Sequence, residues 1–176
     1  MKDQTCQAGL PYSLEEYTME WIIIAALIAA DQITKYLVQI SQPMEIEVIP
    51  KFFYITYVKN DGAAWNMLSG KQVFLCVLAG AAIGVMLYFM LKGKRNHGAK
   101  MTQAALACMI AGAAGNLIDR LFLNYVRDFL HFYPFGYDFP VFNIADAALT
   151  IGVILLILQS IIEEVQEHQK KEKING

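Results

Sequence analysis

Apolar residues in this chain fall into four long runs separated by polar segments. A helix rises about 1.5 Å per residue, so about 20 apolar residues cross a hydrocarbon layer of about 30 Å. The runs Trp21–Ile40, Val73–Leu91, Met101–Ile118 and Phe139–Ile162 reach that length and predict four transmembrane helices. The first run contains Asp31 and Lys35, the next two carry no charge, and the fourth carries only Asp146. Between the first two runs the pattern changes. Glu45–Val58 is rich in β-branched and aromatic residues and is interrupted by Pro50, which predicts two or three short strands outside the membrane, at about 44–60. Asn60-Asp61-Gly62 then reads as a turn, and Ala63–Leu68 as a short interfacial helix anchored by Trp65. The expected architecture is an all-α membrane protein: a four-helix transmembrane bundle with a small extramembrane β-sheet and that interfacial helix between spans one and two. Its membrane domain covers residues 21–162, with a polar leader at 1–20 and a polar tail at 163–176.

Composition agrees. The apolar set including Tyr and Cys makes up 56% of the 176 residues before the 12 glycines are added, against about 45–50% with glycine included in soluble domains. Charged residues are 17%, against about 25%. These values exclude a disordered chain, a coiled coil and a nucleic-acid binder. About twenty polar residues precede the first run with no basic n-region, so that run reads as a retained anchor rather than a cleaved signal peptide. Cys6, Cys76 and Cys108 make no CxxC pair, and His97, His131 and His168 are scattered, so neither a disulfide framework nor a metal site is expected. Four spans place both termini on one side. That side carries Lys2, Lys92, Lys94, Arg95, Lys100, Lys170, Lys171 and Lys173, and the other Lys51, Lys59, Lys71, Arg120 and Arg127. The denser basic side is read as cytoplasmic.

This topology gives the polar residues a shared depth. Asp31 stands nine residues before the outer end of span one, about 13 Å deep, and Lys35 one turn nearer the outside. Asp146 stands seven residues into span four, about 10 Å deep, with Asn143 three positions earlier on the same helical face. Asn116 lies near the outer end of span three, Asp119-Arg120 at its mouth, and Asp128 in the loop beyond. A charge at the centre of a span costs about 2.5–3.5 kcal/mol, so such residues usually mark function. Asp31 and Lys35, four apart, can satisfy one another as an ion pair that ties helices together. Asp119-Arg120 reads either as an interfacial charge pair or as part of a site. Asp146 has no cation within four residues and must find a proton, a metal, a distant cation or another carboxylate. The small residues Ala111-Gly112-Ala113-Ala114-Gly115 suit close helix packing. A proton-coupled transporter using Asp31, Lys35 and Asp146 as a relay is the main rival to an enzyme, but a relay calls for polar residues through both halves of the membrane.

Five motifs stand in order: Asp31-Gln32-Ile33-Thr34-Lys35, Asn60-Asp61-Gly62-Ala63-Ala64-Trp65, Gly112-Ala113-Ala114-Gly115-Asn116-Leu117-Ile118-Asp119-Arg120, Val126-Arg127-Asp128-Phe129 and Phe142-Asn143-Ile144-Ala145-Asp146. Together they resemble the bacterial lipoprotein signal peptidase family, signal peptidase type II, from about Asp31 to Asp146. The resemblance implies an aspartic endopeptidase of the bacterial inner membrane that cleaves prolipoprotein signal peptides just before a diacylglyceryl-modified Cys. It implies Asp128 and Asp146 as the catalytic pair, a choice the residues alone left open between Asp119 and Asp128. It also implies that Asn60, Gly62, Gly112, Asn116, Asp119, Arg120, Asn143, Asp31 and Lys35 shape the site or hold substrate. No cofactor is implied, and globomycin-type peptides are the expected inhibitors. A monomer is the simpler expectation, because four spans can enclose one site. Ala111 stands where many members have Gly, and Trp65 where many have Phe. The leader is longer than usual.

Overall fold

The computed structural model describes residues 18–62, 67–93 and 99–175. Four long helices carry the chain back and forth: α1 Thr18–Ser41, α2 Gln72–Lys92, α3 Ala99–Leu123 and α4 Ile144–Asn175. All four are long and apolar enough to cross a membrane. Three strands, β1 Ile46–Ile49, β2 Phe53–Asn60 and β3 Val126–Phe132, form one antiparallel sheet in the order β1-β2-β3 at the end of the bundle where α1 and α3 finish and α2 and α4 begin. That end is called the sheet end below.

Helix α3 is the hub and packs against each of the other three. Away from the sheet end Ile24, Met90, Leu106, Ala107, Ile110 and Ala111 are buried together, with Glu20, Gln103 and Gln159 also buried in that part of the bundle. The outward faces are apolar too, with Ile22, Ile33, Leu37, Phe74, Val77, Phe89, Ile154 and Ile157 all about half exposed or more. A helix apolar all round, with its outer face unburied, fits lipid rather than water. Small residues set the α3–α4 contact. A Cβ on Gly112 would run into the Ala145 carbonyl and the Leu149 side chain, and one on Gly152 into Met109 and the Ala105 carbonyl. Each glycine is a notch for the facing helix, as in membrane bundles where packing rather than hydrophobicity holds helices together.

Two strands lie, as expected, in the segment between α1 and α2, and a third, β3, not expected from the sequence, comes from the stretch after α3. Its pairing with β2 runs from Asn60↔Val126 to Phe53↔Phe132, with an irregularity between Ile55 and Val58. The expected start of the fourth helix needs correction. Phe139–Asn143 is not helical. Phe142 pairs with Leu130 in an isolated bridge, and the backbone N–H groups of Phe129 and Leu130 donate to its carbonyl. Asn143 then caps the helix: its Oδ1 accepts the Asp146 N–H at 3.0 Å, and Asp146 Oδ2 accepts the Asn143 N–H at 3.2 Å. This reciprocal arrangement is a capping box, so Asp146 sits in the first turn of α4 rather than two turns inside it. The expected interfacial helix falls largely outside the described residues, as do Trp65, Lys94, Arg95 and residues 1–17. Met67–Gly70 is a turn. Beyond the apolar part, α4 continues through the exposed segment Glu163–Lys173.

Candidate active site

Strand β3 is where the site divides in two. Successive residues of a strand point to opposite faces. Arg127 points between α1 and α3, and Asp128 points into a cavity of about 550 Å³. The cavity is also lined by Asn60, Asn116, Arg120, Asp146, and an apolar wall of Phe139, Pro140, Val141, Phe142, Leu149 and Ile151.

The two carboxylates on this cavity come from different elements and share their partners. Asp128 Oδ2 accepts from Asn60 Nδ2 at 2.9 Å, and its Oδ1 accepts from Asn143 Nδ2 at 2.6 Å. Asp146 Oδ1 accepts from Asn116 Nδ2 at 2.7 Å. Asn143 therefore touches both acids, through its amide on Asp128 and its backbone N–H on Asp146. Its Nδ2 also donates to Asn116 Oδ1 at 3.1 Å, closing a ring of amides around the pair. Asp128 is 2% exposed, and it lies outside the spans. Burial first, and then the negative charge of Asp146, push its carboxyl up to about 7 against the amide hydrogen bonds that favour the ionised form.

Behind the pair lies a buried ionic layer. Lys35 Nζ is 2.8 Å from Asp31 and 3.6 Å from Asp119, and donates to Asn116 Oδ1 at 2.9 Å. The expected Asp31–Lys35 ion pair is present. It also joins helices, because Asp31 Oδ1 accepts the Ala145 N–H of α4 at 2.9 Å. Asp119 does not pair with Arg120. It is held by Arg127, whose Nη2 and Nε reach its two oxygens at 2.6 and 3.1 Å, and whose backbone N–H donates to Oδ2 at 2.9 Å. Arg120 turns to the cavity instead. Its Nη2 donates to the Gly62 carbonyl at 2.9 Å and its Nη1 to the Asn116 carbonyl at 3.3 Å, while its buried Nε has no hydrogen-bond partner among the described residues. Asn60 Oδ1 accepts the Gly62 N–H at 3.0 Å and so sets that carbonyl. Gly112 and Gly115 take part through space alone: a Cβ on Gly115 would stand 2.6 Å from Asp31 Oδ2.

The structure thus gathers every residue singled out in the sequence at the sheet end, but in two layers: Asn60, Gly62, Asn116, Arg120, Asp128, Asn143 and Asp146 at or next to the cavity, and Asp31, Lys35, Gly112 and Asp119 behind it. Sequence reasoning passed over Arg127, Gln32 and Gln39 as site residues. Arg127 donates to Gln39 Oε1 at 2.8 Å and to Gln32 Oε1 at 2.9 Å. The signal was there, since Gln32, Lys35 and Gln39 form a polar stripe at helical spacing on an apolar span. Among the described residues, no three His, Cys, Asp or Glu side chains cluster so as to hold a metal ion.

The family model described as signal peptidase (SPase) II matches residues 23–162, which takes in both layers. The chain belongs to the signal peptidase II family. It is accordingly a peptidase, a hydrolase with transmembrane helices. Lipoprotein signal peptidases of Staphylococcus aureus strains JH9 and Newman are each 40% identical to it over 154 residues, 86% of this chain and 93% of theirs. Two solved bacterial membrane enzyme structures share its fold. One, at 2.3 Å resolution, has a TM-score of 0.78 and 38% identity over 89% of this chain and 93% of its own. The other, at 1.9 Å, has a TM-score of 0.73 and 40% identity over 84% and 94%. For a signal peptidase II, the matched region contains both cavity carboxylates and the whole ionic layer.

Proposed function

We propose that this peptidase is an aspartic endopeptidase of the bacterial cytoplasmic membrane that removes signal peptides from diacylglyceryl-modified prolipoproteins, cutting before the lipidated Cys with Asp128 and Asp146. One observation carries the reading: a buried carboxylate, Asp128, and a half-buried one, Asp146, from separate elements line one cavity and are bridged by a single residue, Asn143. Two acids so placed share one proton near neutral pH, because burial and mutual repulsion oppose ionising both. The ionised member takes a proton from water, and the oxygen attacks the scissile carbonyl. The neutral member gives its proton to the carbonyl oxygen. When the carbon–nitrogen bond breaks, the departing amine takes a proton from the pair and a hydroxyl of the tetrahedral intermediate gives its proton back to it, so the pair again holds one. The pair titrates as a unit, so base and acid are roles rather than residues. The guanidinium of Arg120, which lines the cavity, suits a substrate carbonyl.

The cavity wall supports the lipid part of the reading. Carboxylates and amides line it together with the apolar Phe139, Pro140, Val141, Phe142, Leu149 and Ile151. An acylated cysteine beside a peptide bond has the same mixed character. With both termini cytoplasmic, the sheet end faces outside and the pair lies near the outer leaflet, where the diacylglyceryl chains of such a substrate remain. The transporter reading loses support from the apolar band of Ile24, Leu106, Ala107, Ile110 and Ala111 that fills the bundle below the ionic layer.

The test is incubation of the purified protein with a diacylglyceryl-modified prolipoprotein, read as a gel shift. Cleavage should appear, a globomycin-type peptide should block it, and Asp128→Asn and Asp146→Asn should each abolish it while remaining folded in the membrane. Full activity in either variant would overturn the assignment.

A further inference from the structure

Arg127 stands one residue before Asp128 and belongs to neither the carboxylate pair nor the cavity. Its burial is nonetheless nearly complete, at 7% exposed. Every donor on it that the structure pairs is directed at a different helix from the strand it stands on. Nε and Nη2 take both oxygens of Asp119 on α3, Nη1 takes Gln39 on α1, and Nη2 also takes Gln32 on α1. Gln32 is in turn fixed by its amide, which donates to the Gly115 carbonyl at 3.0 Å and to Asp31 at 3.1 Å. A planar guanidinium can make such a fork, and the single ammonium of lysine cannot.

We propose that Arg127 is a positioning residue for the cleavage reaction: clamped between Asp119 and the two glutamines of α1, it fixes the strand that carries Asp128 and supplies the second cation of the buried layer behind the carboxylate pair. The inference rests on Asp128 and Asp146 being the reacting pair. Two consequences separate. The clamp sets where Asp128 stands, so breaking its geometry lowers kcat and leaves KM little changed. The charge acts at a distance. Asp128 is faced by Asp146 from α4, by Lys35 from α1 and by Arg120 from α3; Asp31 of α1 faces Asp146, and Asp119 of α3 faces Arg120, with Tyr57 of β2 and Tyr125 at the foot of β3 on the Arg127 side. Removing Arg127 leaves Asp119 to compete for Lys35, whose charge is the cation that favours ionisation of Asp128. The pair then binds its protons more tightly, and the ionised member that activates water is lost at a higher pH.

The experiment is a pH profile of kcat/KM on the diacylated prolipoprotein for the parent, R127K, R127Q and the double variant R127Q/D119N, with folding checked by thermal melting. R127Q should move the acid limb of the profile up by about one pH unit, the scale of one unit charge in a partly buried site. R127K, which keeps the charge and loses the fork, should lower kcat with the acid limb in place. R127Q/D119N removes both charges of the ion pair together, and its acid limb should return to the parent position whatever its absolute rate. It also serves if R127Q alone does not fold, because swapping a buried pair for neutral groups spares the lone charge. Coincident acid limbs for the parent and R127Q would overturn the proposal, as would a shift in R127K equal to that in R127Q. If instead Asp128→Asn cleaves at the parent rate, the carboxylate assignment itself falls, a different result from a misplaced acid limb.

Discussion

Replacing Asp128 by asparagine should stabilise the folded protein, and by more at high pH than at low. Burial and the charge of Asp146 raise this carboxyl from 3.8 to about 7. A group whose folded pKa is raised holds its proton more tightly in the folded state, so its stabilisation is present at low pH and is lost as pH rises through the folded value. At pH 8 both folded and unfolded chains carry Asp128 ionised, and the folded one bears the full burial cost. At pH 5.5 the folded carboxyl is protonated while the unfolded one is not. That position is about 1.5 pH units below the folded value, so the folded state gains about 2 kcal/mol on going from pH 8 to 5.5. Asparagine is neutral at both. It has one acceptor oxygen for two donors, Asn60 Nδ2 and Asn143 Nδ2, and loses about 1 kcal/mol of hydrogen bonding on that account. That loss is the same at both pH values and cancels in the comparison. The melting temperature of Asp128→Asn minus that of the parent should therefore be about 4–8 °C larger at pH 8 than at pH 5.5 for a chain of this size. Fluorimetric melts in one detergent at fixed ionic strength measure it. A difference that does not change with pH, or one larger at pH 5.5, would show that Asp128 is not held near neutrality and would remove the physical basis for a shared proton.

Lys35→Met leaves Asp31 and Asp119 buried with one cation fewer, and should cost about 3–5 kcal/mol, seen as a lower melting temperature and less protein recovered from membranes. Asn143→Ala removes the helix cap and the bridge between the acids. It should cost about 1 kcal/mol in stability and about a hundredfold in kcat, measured by melting and by cleavage of the diacylated substrate. Gly112→Val places a branched side chain against the Ala145 carbonyl and Leu149, prising α4 from α3. The expected loss is about 1–3 kcal/mol by melting, with Asp146 displaced and cleavage reduced.

The four spans were legible because a continuous apolar run of helical length has few other readings. Asp146 was legible because a carboxylate in such a run must be accounted for. Strand β3 was not. Val126-Arg127-Asp128-Phe129 does not alternate between apolar and polar, because both faces of that strand are buried, one against the cavity and one against the helices. The start of α4 was misread because Phe139–Phe142 is as apolar as the helix that follows. What stops the helix is the pairing of Phe142 with Leu130, which no local pattern announces. The local cue was nevertheless present: Asn143 followed three positions later by Asp146, a capping pair just after Pro140. The Asp119 partner could not be read at all, since Arg120 is its chain neighbour and Arg127 its true counterion. Adjacent residues on a helix point about 100° apart, so the neighbour in sequence faces another way.

The charges at the sheet end explain why the carboxylate pair should hold one proton. Asp31, Asp119, Asp128 and Asp146 are acidic, and Lys35, Arg120 and Arg127 basic, so the set carries one negative charge in excess when all are ionised. Nearly all of it is removed from water: Asp31, Lys35, Asp119, Arg127 and Asp128 are each buried. An uncompensated charge in such a place is expensive, and the cheapest remedy is to bind a proton. Asp31 and Asp119 have cations at 2.8 and 2.6 Å. The hydrogen-bond partners of Asp128 and Asp146 are instead neutral amides, Asn60, Asn116 and Asn143. The amides orient the two acids without neutralising them, and the cations of the layer behind, Lys35 and Arg127, are bonded to Asp31 and Asp119. Replacing one of those amides by a lysine would supply the missing charge, release the proton and leave two carboxylates with no acid between them. The fold thus keeps Lys35 and Arg127 one layer away from the chemistry and brings Arg120 to the cavity itself.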